Sequence, residues 1–386
     1  MKKIGIITHY YKSKNYGGNL QAYALCKILQ NQGYSAEQIC FPRVLIDDAP
    51  SKRKNIFRKD ILKVLYRKIF SIVIGFFANR VNQKHRIDER REKAFLRFNS
   101  ELIPHSKTIY NKNTIGHCAE KYDVFITGSD QVWNFFGETL IYMLDFVPSD
   151  KIKLSYAASI ARNSLTEEQK EIFRNSLKDY KAVSVREKSA EKLLEGLSPT
   201  EVQTVLDPTL LLTQEEWDCV CAERVIKENY VFCYFLGTNK KARKIAEKFA
   251  RKKGLKLVSL PHTAGIRLMD ARFGDEQLYD VSPEQFISLI KHASYVLTDS
   301  FHAVVFSNIY KKQYFVFNRM KSGAMSSRIT DITELFNQRE RFCSRKEQES
   351  LKYIFSLCDI DYSKENEDFE NSRRKSIEFL TTNLED

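Results

Sequence analysis

Three residues with reactive or charged side chains directly follow apolar, strand-like runs in this 386-residue chain. Arg186 follows Ala182-Val183-Ser184-Val185, and its planar fork suits bidentate contact with a carboxylate or phosphate; the alternative is an ion pair with Glu187. His302 lies just past Tyr295-Val296-Leu297-Thr298-Asp299, with Ser300 before it, at the start of a helical pattern. A helix start favours neutral imidazole and a bound anion restores the charge, so His302 is a candidate proton donor or anion ligand, against the plainer reading of a core histidine. Asp130 follows Gly128-Ser129 and either orients and deprotonates a hydroxyl or caps the turn Gln131-Val132-Trp133. Asp207-Pro208 reads as a turn or hinge.

The opening residues add an anion-binding expectation. Ile4-Gly5-Ile6-Ile7-Thr8 is a strand, Asn15-Tyr16-Gly17-Gly18-Asn19 a permissive loop, and Leu20 to Leu29 a helix containing Gln21. Strand, glycine-bearing loop and helix bring backbone N–H groups up to a phosphate or carboxylate. The pattern is neither the dinucleotide fingerprint nor a Walker loop.

Stepping along the chain, strands and helices alternate twice. Glu37 to Phe41, Tyr122 to Thr127, Lys153 to Ile160, Ala182 to Val185 and Val202 to Leu206 read as strands of a first unit, with a helix at Glu167 to Leu177. Tyr230 to Leu236, Lys256 to Leu260, Tyr295 to Asp299 and Tyr314 to Phe317 read as strands of a second, with a helix opening at Ser282-Pro283. Alternation of this kind implies parallel sheets, and ligands then bind outside the carboxyl ends of the strands, in the cleft between the units. The expected organisation is an α/β chain of two Rossmann-like domains, 1–210 and 228–345, with a charged helical tail over 346–386.

Composition bounds the function. The net charge is +13, yet residues 51–100 carry 15 Lys/Arg against 4 Asp/Glu, so the remainder is close to neutral. Confined charge without interleaved stacking aromatics argues against nucleic acid and for a docking surface. Within 51–86, apolar residues from Ile61 to Phe77 are broken by Lys63, Arg67 and Lys68. Such a segment suits peripheral contact with an anionic membrane, or a helix packed on the domain with a solvated basic face. The eight cysteines show no CxxC or zinc spacing, which leads us to expect a reducing cytoplasm and no metal. No secretory signal or membrane span is expected.

Six segments in order resemble the polysaccharide pyruvyl transferase family: Asn15-Tyr16-Gly17-Gly18-Asn19-Leu20-Gln21, Gly128-Ser129-Asp130-Gln131-Val132-Trp133-Asn134, Ser155-Tyr156-Ala157-Ala158-Ser159, Ser184-Val185-Arg186-Glu187, Leu206-Asp207-Pro208-Thr209, and Asp299-Ser300-Phe301-His302-Ala303. The resemblance covers roughly residues 1–340. It implies an architecture similar to the GT-B glycosyltransferases, no cofactor, phosphoenolpyruvate as donor and a saccharide acceptor, free or lipid-linked. The implied product is a pyruvate ketal, with phosphate released. Arg186 matches the family's donor-binding arginine, and His302 its histidine in an Arg-x-His segment. Ser300 stands where some members carry that arginine, leaving Arg319 or Arg328 to supply the cation. Tyr16, Gly17, Gly18, Asn19, Gln21, Gly128, Ser129, Ser300 and Arg328 complete the expected binding set. The competing expectations are a nucleotide-sugar glycosyltransferase of GT-B type and a non-catalytic anion-binding protein of a glycan assembly complex.

Overall fold

The computed structural model describes residues 1–42, 89–135, 139–262, 269–270, 272–319 and 326–385; the expectation for 51–86 lies outside them. Among the described residues, no helix is long and apolar enough to cross a membrane.

Seven strands among the described residues form the first sheet: β1 (Lys3–Ile7), β2 (Ser35–Cys40), β3 (His105–Ile109), β4 (Val124–Thr127), β5 (Ile152–Ala158), β6 (Ala182–Val185) and β7 (Val202–Thr204). Six described strands form the second: β8 (Tyr230–Tyr234), β9 (Lys256–Ser259), β10 (Glu276–Gln277), β11 (Tyr295–Thr298), β12 (Gln313–Phe317) and β13 (Phe342–Cys343). Their spatial orders are β3-β2-β1-β4-β5-β6-β7 and β10-β9-β8-β11-β12-β13. All pairings are parallel. Strand order therefore reverses between β1 and β4 and again between β8 and β11, and these are the two crevices where a doubly wound sheet accepts a ligand. Buried runs such as Val124-Phe125-Ile126 and Tyr230-Val231-Phe232 have helices on both faces, which is why they are continuously apolar rather than alternating.

Three strands escaped the sequence reading. β3 turns only Ser106 fully inward, and β10 and β13 are two residues each. The helix after β1 starts at Tyr16, four residues before the expected Leu20, so Gly17 and Gly18 belong to its first turn and not to a loop. Asn15 caps that turn through Gly18 N–H, which offsets the poor helix propensity of the glycine pair.

The two sheets share one continuous apolar core. Tyr16 stacks on Phe286 at 4.7 Å between ring centres and donates from its hydroxyl to Val281 C=O at 2.9 Å. A helix over 89–101 reinforces this junction, with Phe95 against Tyr16 and Arg97 bound to Glu284 at 2.7 Å. The helix Glu367–Leu384 returns to the first sheet. There Ser376 Oγ accepts from Leu206 N–H at 2.9 Å, Arg373 donates to Leu211 C=O at 2.9 Å, and Phe379, Leu380 and Leu384 are buried. Leu380 has no exposed surface, so Leu380→Ala is expected to cost about 2–5 kcal/mol in urea unfolding, monitored on the first domain.

Candidate active site

The four strand-end segments singled out in the sequence converge where the two crevices face each other. From β1 the chain runs through Thr8, whose hydroxyl donates to Ser129 C=O at 2.6 Å and so ties the β1 and β4 loops together. Gln21 donates to Thr8 Oγ1 at 3.0 Å and Gly18 C=O at 2.8 Å, and Asn19 donates to Ser13 and Asn15 carbonyls at 2.9 and 2.7 Å. Both are fully buried and brace the loop; neither lines the cleft. Gly17 does, and a Cβ there would fall inside the imidazole of His302 from the other domain. Glycine is required at 17 by that approach rather than by a turn. At Gly18 a Cβ would meet His9 C=O at 2.7 Å. Gly128 is packed behind, against Thr8 and Ile6.

The charged centre is buried. Arg186 Nη1 donates to Asp207 Oδ2 at 2.8 Å, while its Nη2 lies 3.8 Å from Asp130 and 3.6 Å from Glu187. Ser129 Oγ donates to the same Asp207 oxygen at 2.9 Å. The other Asp207 oxygen accepts from Thr209 N–H and Oγ1 at 3.0 and 2.7 Å. His302 Nε2 stands 3.6 Å from Asp207 Oδ2, an ion-pair rather than hydrogen-bond separation. Asp207 is thus a turn residue, as expected, and also the counter-ion of both Arg186 and His302, which was not. Its position two residues before Thr209 is legible; its reach to residues 21 and 95 positions away in sequence is not.

Asp130 is not the cap of the following turn. It holds a left-handed backbone (φ 74°), pairs as a bridge with Ala158, and keeps its carboxylate near Arg186 and 3.5 Å from Asn15 Nδ2. Arg186 lies one layer behind the cleft wall, with the Phe301 ring 4.8 Å over its guanidinium. The cations on the wall itself are Arg319 and Arg328, beside Ser300 and His302. Arg328 reaches Glu187 at 3.8 Å, and Gln131, with its carbonyl turned inward, accepts from both terminal nitrogens at 3.1 and 3.2 Å. Arg319 donates to Asp299 C=O at 3.2 Å, while the Asp299 carboxylate accepts from Leu236 and Gly237 N–H at 2.6 and 2.7 Å. Asn15, which the sequence reading left out, also lines the cavity, with Tyr16 and Tyr234. Its signal was available, as the polar residue before a helix.

Burial alone would raise Asp207, but His302, Arg186 and the Thr209 hydroxyl outweigh it and hold the carboxyl far below its ordinary value. Asp130 follows the same balance: burial raises it, and Arg186, His302, His9 and Arg328 pull it lower. Burial, then the charge on Arg186, pushes Arg328 down to about 10. Four donors in this region have no hydrogen-bond acceptor among the described residues: Arg186 Nε and Nη2, Arg328 Nε and His302 Nε2. Buried cations with spare N–H groups, beside two helix starts, have the charge and donor geometry that suits an anion. Among the described residues there is no His/Cys/Asp/Glu group with the geometry to hold a metal.

A depressed Asp pKa means that the unfolded chain takes up the proton first as pH falls. The stabilisation from ionised Asp207 is therefore complete above the ordinary carboxylate range, about pH 4, and is lost progressively below it. Asp207→Asn is expected to cost about 3–5 kcal/mol at neutral pH, by removing the one carboxylate hydrogen-bonded to the buried Arg186 guanidinium. In thermal melts across a pH series, the gap to wild type should close below about pH 4.

Comparison with known proteins bears on the fold and the family. UDP-GlcNAc 2-epimerase from Methanocaldococcus jannaschii, solved with UDP-GlcNAc and UDP, superimposes with a TM-score of 0.54 at 14% identity, covering 98% of this chain and 99% of that one. The UDP-GlcNAc 2-epimerase from Neisseria meningitidis gives 0.52 at 10% identity, covering 99% and 100%. The corresponding epimerase from Rickettsia bellii gives 0.54 at 10%, covering 99% and 96%. At these identities the likeness is one of fold, a GT-B-like pair of Rossmann domains. No curated protein matches in sequence. The family model for polysaccharide pyruvyl transferase matches residues 15–319, from the Asn15 helix cap to Arg319 on the cleft wall, and the chain belongs to that family.

Proposed function

We propose that the chain transfers the pyruvyl group of phosphoenolpyruvate to two hydroxyls of a saccharide, forming a cyclic ketal and releasing phosphate. The observation that carries this reading is the buried group of arginines and His302 with unshared N–H donors, set around a cavity of about 50 Å³. Such a space suits the small, densely charged end of a donor rather than a large apolar ligand. Arg328 and Arg319 hold carboxylate and phosphate from the wall, supplying the positive charge that Ser300 does not. Arg186 keeps Asp130 and Asp207 ionised from behind.

In the proposed sequence, His302 gives its proton to the methylene carbon of the donor, leaving positive charge shared between C2 and its oxygen. One sugar hydroxyl adds to C2, losing its proton toward Asp130. A second hydroxyl then displaces phosphate by cleavage of the C2–O bond, and its proton leaves with the phosphate. The donor, with its two acceptor hydroxyls, becomes the ketal and inorganic phosphate. Asp207, 3.6 Å from His302 Nε2, positions the imidazole.

Two experiments bear on this. His302→Ala is expected to lower turnover by about 10²–10⁴-fold. Gly17→Ala, which displaces the ring without removing it, should cost about 10²-fold. Both are read as phosphate release with the ketal mass confirmed on the acceptor. Calorimetry of phosphoenolpyruvate is expected to show saturable binding, weakened at least about tenfold in Arg328→Ala. Binding of a UDP-sugar in preference to phosphoenolpyruvate, with a hexose mass added to the acceptor, would overturn the proposal. Arg186→Ala is the poorer probe, since it strands Asp207 and Glu187 in the core.

A further inference from the structure

The helix Lys240–Lys253 carries eight Lys/Arg and a single acid, Glu247. Ala242, Ile245, Ala246, Phe249 and Ala250 are spaced three and four apart and are buried against the second sheet. Arg243 is buried too, bound by Asp270 at 2.7 Å. The remaining cations face outward. Lys240, Lys244, Lys248 and Lys252 form a row at four-residue spacing, all exposed. Lys241, Arg251 and Lys253 flank it, also exposed. Among the described residues, only Lys241 of these seven has a carboxylate within ion-pair reach, Glu349 at 3.8 Å. None of them lines the cleft.

A row of like charges four residues apart repels itself and weakens a helix. The helix dipole accounts for Arg251, Lys252 and Lys253 in the last turn, but not for Lys240 and Lys244 in the first. Beside the basic end, Phe355 is 41% exposed on the short helix Leu351–Ser356. Its ring lies 5.3 Å from Phe249, with Lys252 and Lys253 Nζ at 5.5 and 5.7 Å. Lys352 on the same short helix is exposed as well.

We infer that this face of the second domain docks on an anionic lipid bilayer, with the lysine row on headgroup phosphates and Phe355 entering the headgroup layer. A soluble polyanion would account for the cations alone; an exposed ring set between two ammonium groups is the feature that a headgroup layer explains. The inference does not depend on the reaction proposed above.

The test is co-sedimentation of the full chain with vesicles of equal parts phosphatidylcholine and phosphatidylglycerol. Wild type should bind them, release with added salt, and ignore pure phosphatidylcholine. Lys244→Glu/Lys248→Glu/Lys252→Glu should lower partitioning at least about tenfold, and Phe355→Ser by a few-fold, with unchanged circular-dichroism melts. If the triple variant melts early, Lys248→Gln/Lys252→Gln repeats the test with less charge removed. Partitioning that the charge variants leave unchanged, or equal binding to neutral vesicles, would refute the inference. Wild type that binds dextran sulfate and not the vesicles would reassign the face to a soluble polyanion.

Discussion

Everything at the centre of this molecule depends on the contact between Gly17 and His302. Each belongs to the first turn of a helix that follows a switch-point strand, one in each domain. Helix starts carry partial positive charge, so bringing two together is unfavourable unless negative charge lies between and around them. Asp130, Asp207, Glu187 and Asp299, all buried, meet that requirement, and Arg186, Arg319 and Arg328 in turn make four buried carboxylates tolerable. Three arginines and two helix starts thus stand against four buried carboxylates. That is a property of the packing before it is a property of any catalyst.

The same residues hold the domains together and build the pocket. Tyr16 lines the cavity while its ring stacks on Phe286 and its hydroxyl bonds Val281. Asp207 caps a turn with one oxygen and organises the charged centre with the other. Because an unpartnered charge is costly in such surroundings, substitutions here act on stability and chemistry together.

The sequence made the main architecture legible where local rules and tertiary demands agree. Ala182 to Val185 and the helix expected around Glu167 to Leu177 coincide with observed elements, the second opened by a capping box of Thr166 and Gln169 ahead of an amphipathic run. The convergence of four strand ends was also legible, since parallel sheets place such ends together. What failed did so for physical reasons. Glycines disfavour a helix, so the pair at 17–18 read as loop; the imidazole arriving from the other domain explains why residue 17 is small, and the His9 carbonyl why residue 18 is. β3 has an outward-facing, polar pattern typical of an edge strand and gives no apolar signal. Asp207 was satisfied by its neighbours on paper, and nothing local announces Arg186 or His302 as partners. Arg186 reached the expected centre but sits behind Phe301, a depth that one-dimensional spacing does not encode.

The return of helix Glu367–Leu384 to the first sheet has a consequence for biosynthesis. Leu206, Leu211 and Tyr156 are made early, yet the residues that cover them, Ser376, Arg373 and Phe379, come from some 160 to 220 positions later. At ordinary elongation rates that interval is on the order of ten seconds or more. Throughout it the nascent first domain has an uncovered apolar seam, while the second domain gains its strands one by one, the last at Phe342–Cys343. The amino-terminal half of this protein is therefore the first to be synthesised and the last to be finished.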